Sequence, residues 1–172
     1  MKEQKEIKNK FERSFQALTL KPALGKGTGI SKTRIVNGLS CVSQEGDWEL
    51  KTDMPEQAGG SGNGPTPGVL GRAALGSCLA IGYMLWASKL EVDIDSLEVE
   101  IQADYDDGGL FGSSDSYPGY NEIRYHIRIE STASKKQIEE VIDLGDKHSP
   151  YLDVFSRAQV CKRKIEIIEN MN

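Results

Sequence analysis

Histidine is scarce in this chain of 172 residues: His126 and His148 are its only two, and they stand far apart. With no CxxC and no HxxxH spacing, a transition-metal centre has no ligand set. Cysteine is scarce too. Three cysteines, an odd number without framework spacing, exclude a disulfide scaffold and fit a reducing compartment. Positive charge is in deficit, 21 Lys+Arg against 26 Asp+Glu, so a nucleic-acid backbone would be repelled and that class of partner is excluded. The opening MKEQKEIKNKFER has no apolar core and no small-residue cleavage site, so it does not read as a secretory signal, and the expected location is the cytoplasm. The Gly59–Gly64 stretch lacks the Gly-Lys-Ser/Thr ending of a phosphate loop. Asp104-Tyr105-Asp106-Asp107-Gly108 fails the register of a calcium loop and has no glutamate at the twelfth position. No metal and no cofactor is expected.

What is present fits one domain preceded by a short extension. Ile7, Phe11, Phe15 and Leu18 recur at helical intervals among Lys and Glu, so residues 1–20 read as an amphipathic helical extension and 21–172 as a single domain. Asn37-Gly38 between Lys32–Val36 and Leu39–Ser43 predicts a hairpin, with Trp48–Lys51 as a third strand. Thr66-Pro67 is an N-cap followed by proline at the first helical position. The helix it opens carries one charge, Arg72, between Val69 and Trp86, which predicts burial on every face. A membrane span is the rival reading of that run. Gly71, Gly76, Ser77 and Gly82 favour a dense core instead. Leu97, Val99, Ile101 and Ala103 alternate with polar residues, as do Ile123, Tyr125, Ile127 and Ile129, giving two strands with one wet face. The long loop between them, Asp106–Tyr120, is of a length that is more often functional than idle. Ser134 to Gln137 is a capping box for a second helix, and Cys161–Ile168 predicts a last strand.

Cys78 is the distinctive chemical group. It lies about 16 Å along its helix, too far for the macrodipole to acidify it, and no charge stands three or four positions away. A reactive Cys78 therefore needs a cation from another segment; otherwise it fills the core. Arg72 is rotated about 120° from the Cys78 face. Arg34, near a hairpin tip, is better able to reach across, its alternative being a solvated strand charge. Strand parity places Cys41 with Leu39 and Cys161 with Ile165 and Ile167, as core residues. His126 is expected to face solvent. Ser149 as N-cap before Pro150 explains the run around His148 structurally. Cys78 with His148 has the residue types of a Cys-His hydrolase but no oxyanion motif.

The run Gly59-Gly60, Gly64-Pro65-Thr66-Pro67, and Ala73-Ala74-Leu75-Gly76-Ser77-Cys78-Leu79-Ala80 resembles the OsmC-like family, which includes the organic hydroperoxide resistance proteins. The resemblance extends from about Gly29 to Ile168. It implies an α+β fold in which antiparallel sheets wrap a buried central Cys-bearing helix, within an intertwined homodimer whose sites lie between subunits. It implies a peroxidatic Cys78, oxidised by an organic hydroperoxide to a sulfenic acid, with an arginine from the amino-terminal hairpin supporting the thiolate. Arg34 is the nearest match by place, although pairing back from Pro55 puts Asn37 at the usual arginine position. The family's resolving cysteine falls on Ser149 and its arginine-holding glutamate on Gly68. The implied enzyme is a one-cysteine peroxidase regenerated by an external thiol; the rival outcome is a Cys41–Cys78 disulfide, with Cys41 standing in as resolver. The alternative is a non-catalytic relative binding a small apolar or sulfur-containing ligand in the intersubunit pocket.

Overall fold

The computed structural model describes residues 2–168. Helix α1 (Lys2–Leu20) is followed by a three-stranded antiparallel sheet, β1 (Lys32–Asn37), β2 (Ser40–Glu45) and β3 (Trp48–Thr52). Its turns pass through Gly38 and Gly46 at φ +52° and +55°, a backbone region that glycine enters without Cβ strain. Helix α2 (Pro67–Leu90) leads to β4 (Ser96–Tyr105), a short α3 (Asp107–Phe111), β5 (Tyr120–Glu130), α4 (Lys135–Lys147) and α5 (Pro150–Ser156). The chain is thus α+β, with two small antiparallel sheets.

Helix α2 starts where the sequence says: the Thr66 hydroxyl accepts from the Val69 N–H and Pro67 takes the first position. Strands β4 and β5 pair Leu97 with Ile129, Val99 with Ile127 and Ile101 with Tyr125, so one face of the ribbon is apolar and lies on α2. Gly76 lets the helix settle close, since a Cβ there would stand 3.3 Å from Ile101 Cγ1. Arg124 and Arg128 on the wet face pair with Asp104, Glu122, Glu98 and Glu100. The core gathers Leu75, Leu79, Tyr83 and Ala87 with Val92 and Val141.

Helix α1 docks through part of its apolar stripe. Phe11 meets Trp86 edge-on at 5.3 Å, and Lys89 Nζ sits over the Phe11, Phe15 and Trp86 rings at 4.8, 4.5 and 5.1 Å. Gln4 also donates to the Val92 carbonyl at 2.8 Å.

Three expectations are corrected. Helix α2 is not buried all round: Leu75, Leu79, Tyr83, Ala87 and Ser88 are buried, whereas Ile81 is 62% exposed and Leu85 and Val69 are also open. One sheet, α1, α4 and α5 do not cover the whole cylinder, and an apolar groove of about 570 Å³ between Ile7, Ile81, Met84 and Leu97 remains on the outer side. By length and composition α2 could cross a membrane, but it packs against α1, β4, α4 and α5. The expected strand Cys161–Ile168 is absent: its alternating residues have no strand beside them, and Ile165, Ile167 and Ile168 are exposed. Cys161 is consequently exposed rather than core. Within the long loop, α3 forms a single turn whose N-cap, Asp106, accepts from the Gly108 N–H.

Asp53 organises the glycine-rich entry to α2. Only 2% exposed, it accepts from the Ser40 hydroxyl at 2.7 Å and from the N–H groups of Met54, Ser61 and Asn63 at 2.7, 3.3 and 3.1 Å. The Ser40 hydroxyl first, then the three N–H groups, hold its carboxyl below the usual aspartate range. A depressed carboxyl contributes stability that is full above its unfolded pKa and is lost as pH falls through the folded one. The amides of Ser61 and Asn63 should therefore lose hydrogen-exchange protection below about pH 4, ahead of the β4–β5 amides. Equal loss across both regions would remove Asp53 from that role.

Candidate functional site

The thiol of Cys78 faces the junction of α4 and α5. Its Sγ lies 3.5 Å from the Ser149 Oγ, across 71 positions of sequence. Ser149 is 6% exposed and is held from both sides. Helix α4 ends when the His148 N–H closes onto Leu144 and Gly145 carbonyls at 3.2 and 3.3 Å, and α5 begins with Ser149 as N-cap and Pro150 at the first position. The Ser149 Oγ accepts from the Leu152 N–H at 3.3 Å. With one lone pair so engaged, its proton is free to be donated toward sulfur.

What brings this junction against α2 is a close helix contact. A Cβ on Gly82 would stand 4.0 Å from the Gly145 carbonyl oxygen, and one on Gly145 would overlap Tyr83 Cδ1 at 2.3 Å. Next to Gly145, Asp146 accepts from Tyr83 OH at 2.6 Å and from Tyr125 OH at 2.8 Å, tying α2, β5 and α4 at one carboxylate. Burial, followed by the hydrogen bond to Asp146, pushes the Tyr125 phenol up to about 12 and that of fully buried Tyr83 higher still. Both phenols stay protonated as donors. Sequence reasoning missed this trio; its one local sign was Tyr83, the single phenol of α2.

The remaining sequence candidates lie apart from the thiol. Arg34 is exposed on β1 opposite Val42, with no hydrogen-bond or ion-pair partner among the described residues. His148 is exposed and stacks on Trp86 at 4.9 Å, an arrangement that leaves it without a hydrogen bond to Cys78. Cys41, half-buried, sits 2.6 Å from Thr52 Oγ1 on the sheet. Gly68 lies one turn before Arg72, and a Cβ there would be 3.4 Å from Arg72 Nη1. Arg72 Nη1 in turn donates to Tyr120 OH at 3.3 Å, and Tyr120 donates to the Gly68 carbonyl at 3.0 Å.

A helix that carries a cysteine in its middle and is packed against a two-stranded ribbon and a short helix pair defines a class. The sequence model described as OsmC-like protein matches residues 60–163, more than half of the chain, and the chain belongs to that family. The matched segment contains Gly68, Cys78 and Ser149 but not Arg34 or Cys41. The fold is similar to the crystal structure of an OsmC-like protein from Mycoplasma pneumoniae, with a TM-score of 0.65, 20% identity, and coverage of 76% of this chain and 88% of that one. It is similar also to an organic hydroperoxide resistance protein OsmC from Legionella pneumophila, with a TM-score of 0.58, 16% identity, and coverage of 76% and 90%. An uncharacterized protein of Haloferax volcanii is 25% identical over 111 residues, covering 64% of this chain and 74% of that protein.

Proposed function

We propose that the protein is a thiol-dependent peroxidase of one-cysteine type that reduces organic hydroperoxides through Cys78. The observation that carries this reading is the 3.5 Å approach of the buried Ser149 hydroxyl to the Cys78 sulfur. A hydroxyl there can donate to a thiolate but cannot form a disulfide with a sulfenic acid. In the reaction the Cys78 thiolate attacks the outer peroxide oxygen. The S–O bond forms, the O–O bond breaks, and the departing alkoxide takes a proton to leave as alcohol. Sulfur is oxidised by two electrons to the sulfenic acid. One external thiol condenses with it, releasing water and leaving a mixed disulfide; a second displaces Cys78 as thiol and departs in a disulfide. The working unit in this reading is a homodimer that covers Ile81, Leu85 and Val69 of α2, with the exposed Arg34 of one hairpin supporting the thiolate of the partner.

One equivalent of cumene hydroperoxide followed by dimedone should label Cys78, and more peroxide should drive it to sulfinic acid. Arg34→Ala should slow labelling at least tenfold. No label and no peroxide consumption would sink the reading and favour the non-catalytic alternative. Positions 68 and 149 speak for that alternative: Gly68 lacks the carboxylate that the resemblance assigns to holding the hairpin arginine, and Ser149 lacks the resolving thiol.

A further inference from the structure

We propose that the cleft beside the first turns of α2 binds an amphipathic monoanion, an apolar tail ending in a carboxylate, with Arg72 and Tyr120 holding the head. The cleft has a volume of about 940 Å³, and Met54, Leu110, Phe111, Val154 and Phe155 give it apolar walls. That size and lining suit a small organic molecule. Leu110 and Phe111 are 58% and 65% exposed, so the walls are not covered by the chain itself.

Arg72 is the polar feature that sets the ligand's charge. Arg124, Arg128 and Arg157 all pair with carboxylates. Arg72 is half-buried, yet the only hydrogen bond it makes among the described residues is to Tyr120 OH at 3.3 Å. A guanidinium has five N–H donors arranged to grip a carboxylate in two places, and most of these are unused. Tyr120 spends its own proton on the Gly68 carbonyl, so its oxygen orients the guanidinium without competing for the ligand. Gly68 adds no side chain beside Nη1, where a Cβ would already be 3.4 Å away. The positive end of the α2 macrodipole is at the same end of the cleft, through Thr66, Pro67 and Gly68.

Two acids face the same space. Asp106 is held by the Gly108 N–H and the Ser116 hydroxyl, and Asp107 opens α3; neither is within 4 Å of Arg72. They repel an anionic head, and a doubly charged one more strongly, so the head that Arg72 can hold bears a single charge. Cys78 does not line the cleft, so this site does not rest on the peroxidase reading.

Calorimetric titration of the full chain with dodecanoate, 1-dodecanol and dodecyltrimethylammonium, each kept below its aggregation threshold, tests the proposal. Dodecanoate should bind once per chain. Arg72→Met should weaken it at least tenfold while leaving dodecanol unchanged, and Arg72→Lys should fall between. Cys78→Ser should bind dodecanoate as the parent does, whatever the outcome with hydroperoxide. Absence of dodecanoate binding, equal binding by Arg72→Met, or equal affinity for the cationic amphiphile would overturn it. Should Arg72→Met fail to fold, the Arg72 Nε–H resonance of the unsubstituted protein decides: it should shift on adding dodecanoate, and an unmoved resonance rejects the site.

Discussion

Ser149→Cys should turn the proposed one-cysteine peroxidase into a two-cysteine one. The Oγ it replaces lies 3.5 Å from Cys78 Sγ, a separation that closes to ~2.05 Å in an S–S bond. After one equivalent of hydroperoxide, the intact chain should carry a disulfide between positions 78 and 149. Dimedone labelling of Cys78 should fall at least tenfold, and excess peroxide should no longer yield sulfinic acid. Stability separates the two redox states. In the reduced form the variant loses the hydroxyl cap on α5, which costs about 1 kcal/mol. The oxidised form closes a loop of 71 positions and gains about 4 kcal/mol by chain entropy. The gain outweighs the lost cap, so the oxidised variant should melt above the parent and the reduced variant below it. Sulfenylation of Cys78 without disulfide formation would mean that the two side chains do not meet in solution.

Much of the fold was legible because its signals are local. Thr66-Pro67 and Ser134 to Gln137 are caps whose donor and acceptor lie within one turn, and both are observed. The alternation in Leu97–Ala103 and Ile123–Ile129 fixed which faces of β4 and β5 are apolar, and the register joins those residues in pairs. Signals that depend on what covers a surface did not transfer. An apolar residue such as Ile81 or Ile167 states that it prefers burial, not that this chain supplies the neighbour. The same ambiguity misplaced Cys161, whose parity with Ile165 was real but whose strand partner is absent. At the candidate site, no local pattern connects Cys78 with Ser149; only the resemblance linked them. Arg72 is rotated away from Cys78 on the helix, and that same orientation sends it to Tyr120.

Asp146→Ala should be among the most destabilising single changes outside the hydrophobic side chains. Its two oxygens accept from Tyr83 and Tyr125, and no buried polar side-chain atom among the described residues lacks a partner. Hydrogen bonds to a charged acceptor contribute about 1.5–3 kcal/mol each. Tyr125 is partly exposed and can turn to water, which lowers its share. Tyr83 has no exposure and cannot, so its hydroxyl would be left dry and unpaired. A loss of about 3 kcal/mol follows, which for a domain of this size lowers Tm by roughly 6–12 °C. Asp146→Asn keeps an acceptor and should lose less than half as much. The decisive measurement is the double-mutant cycle with Tyr83→Phe. In the parent, Tyr83→Phe removes a made bond and should destabilise. In Asp146→Ala it removes an orphaned hydroxyl and should be neutral or stabilising. Strict additivity would show that the carboxylate does not hold the Tyr83 phenol. Because Asp146 lies three residues before Ser149, the same loss should also loosen the α4–α5 junction against Cys78, read as faster alkylation of the thiol by iodoacetamide.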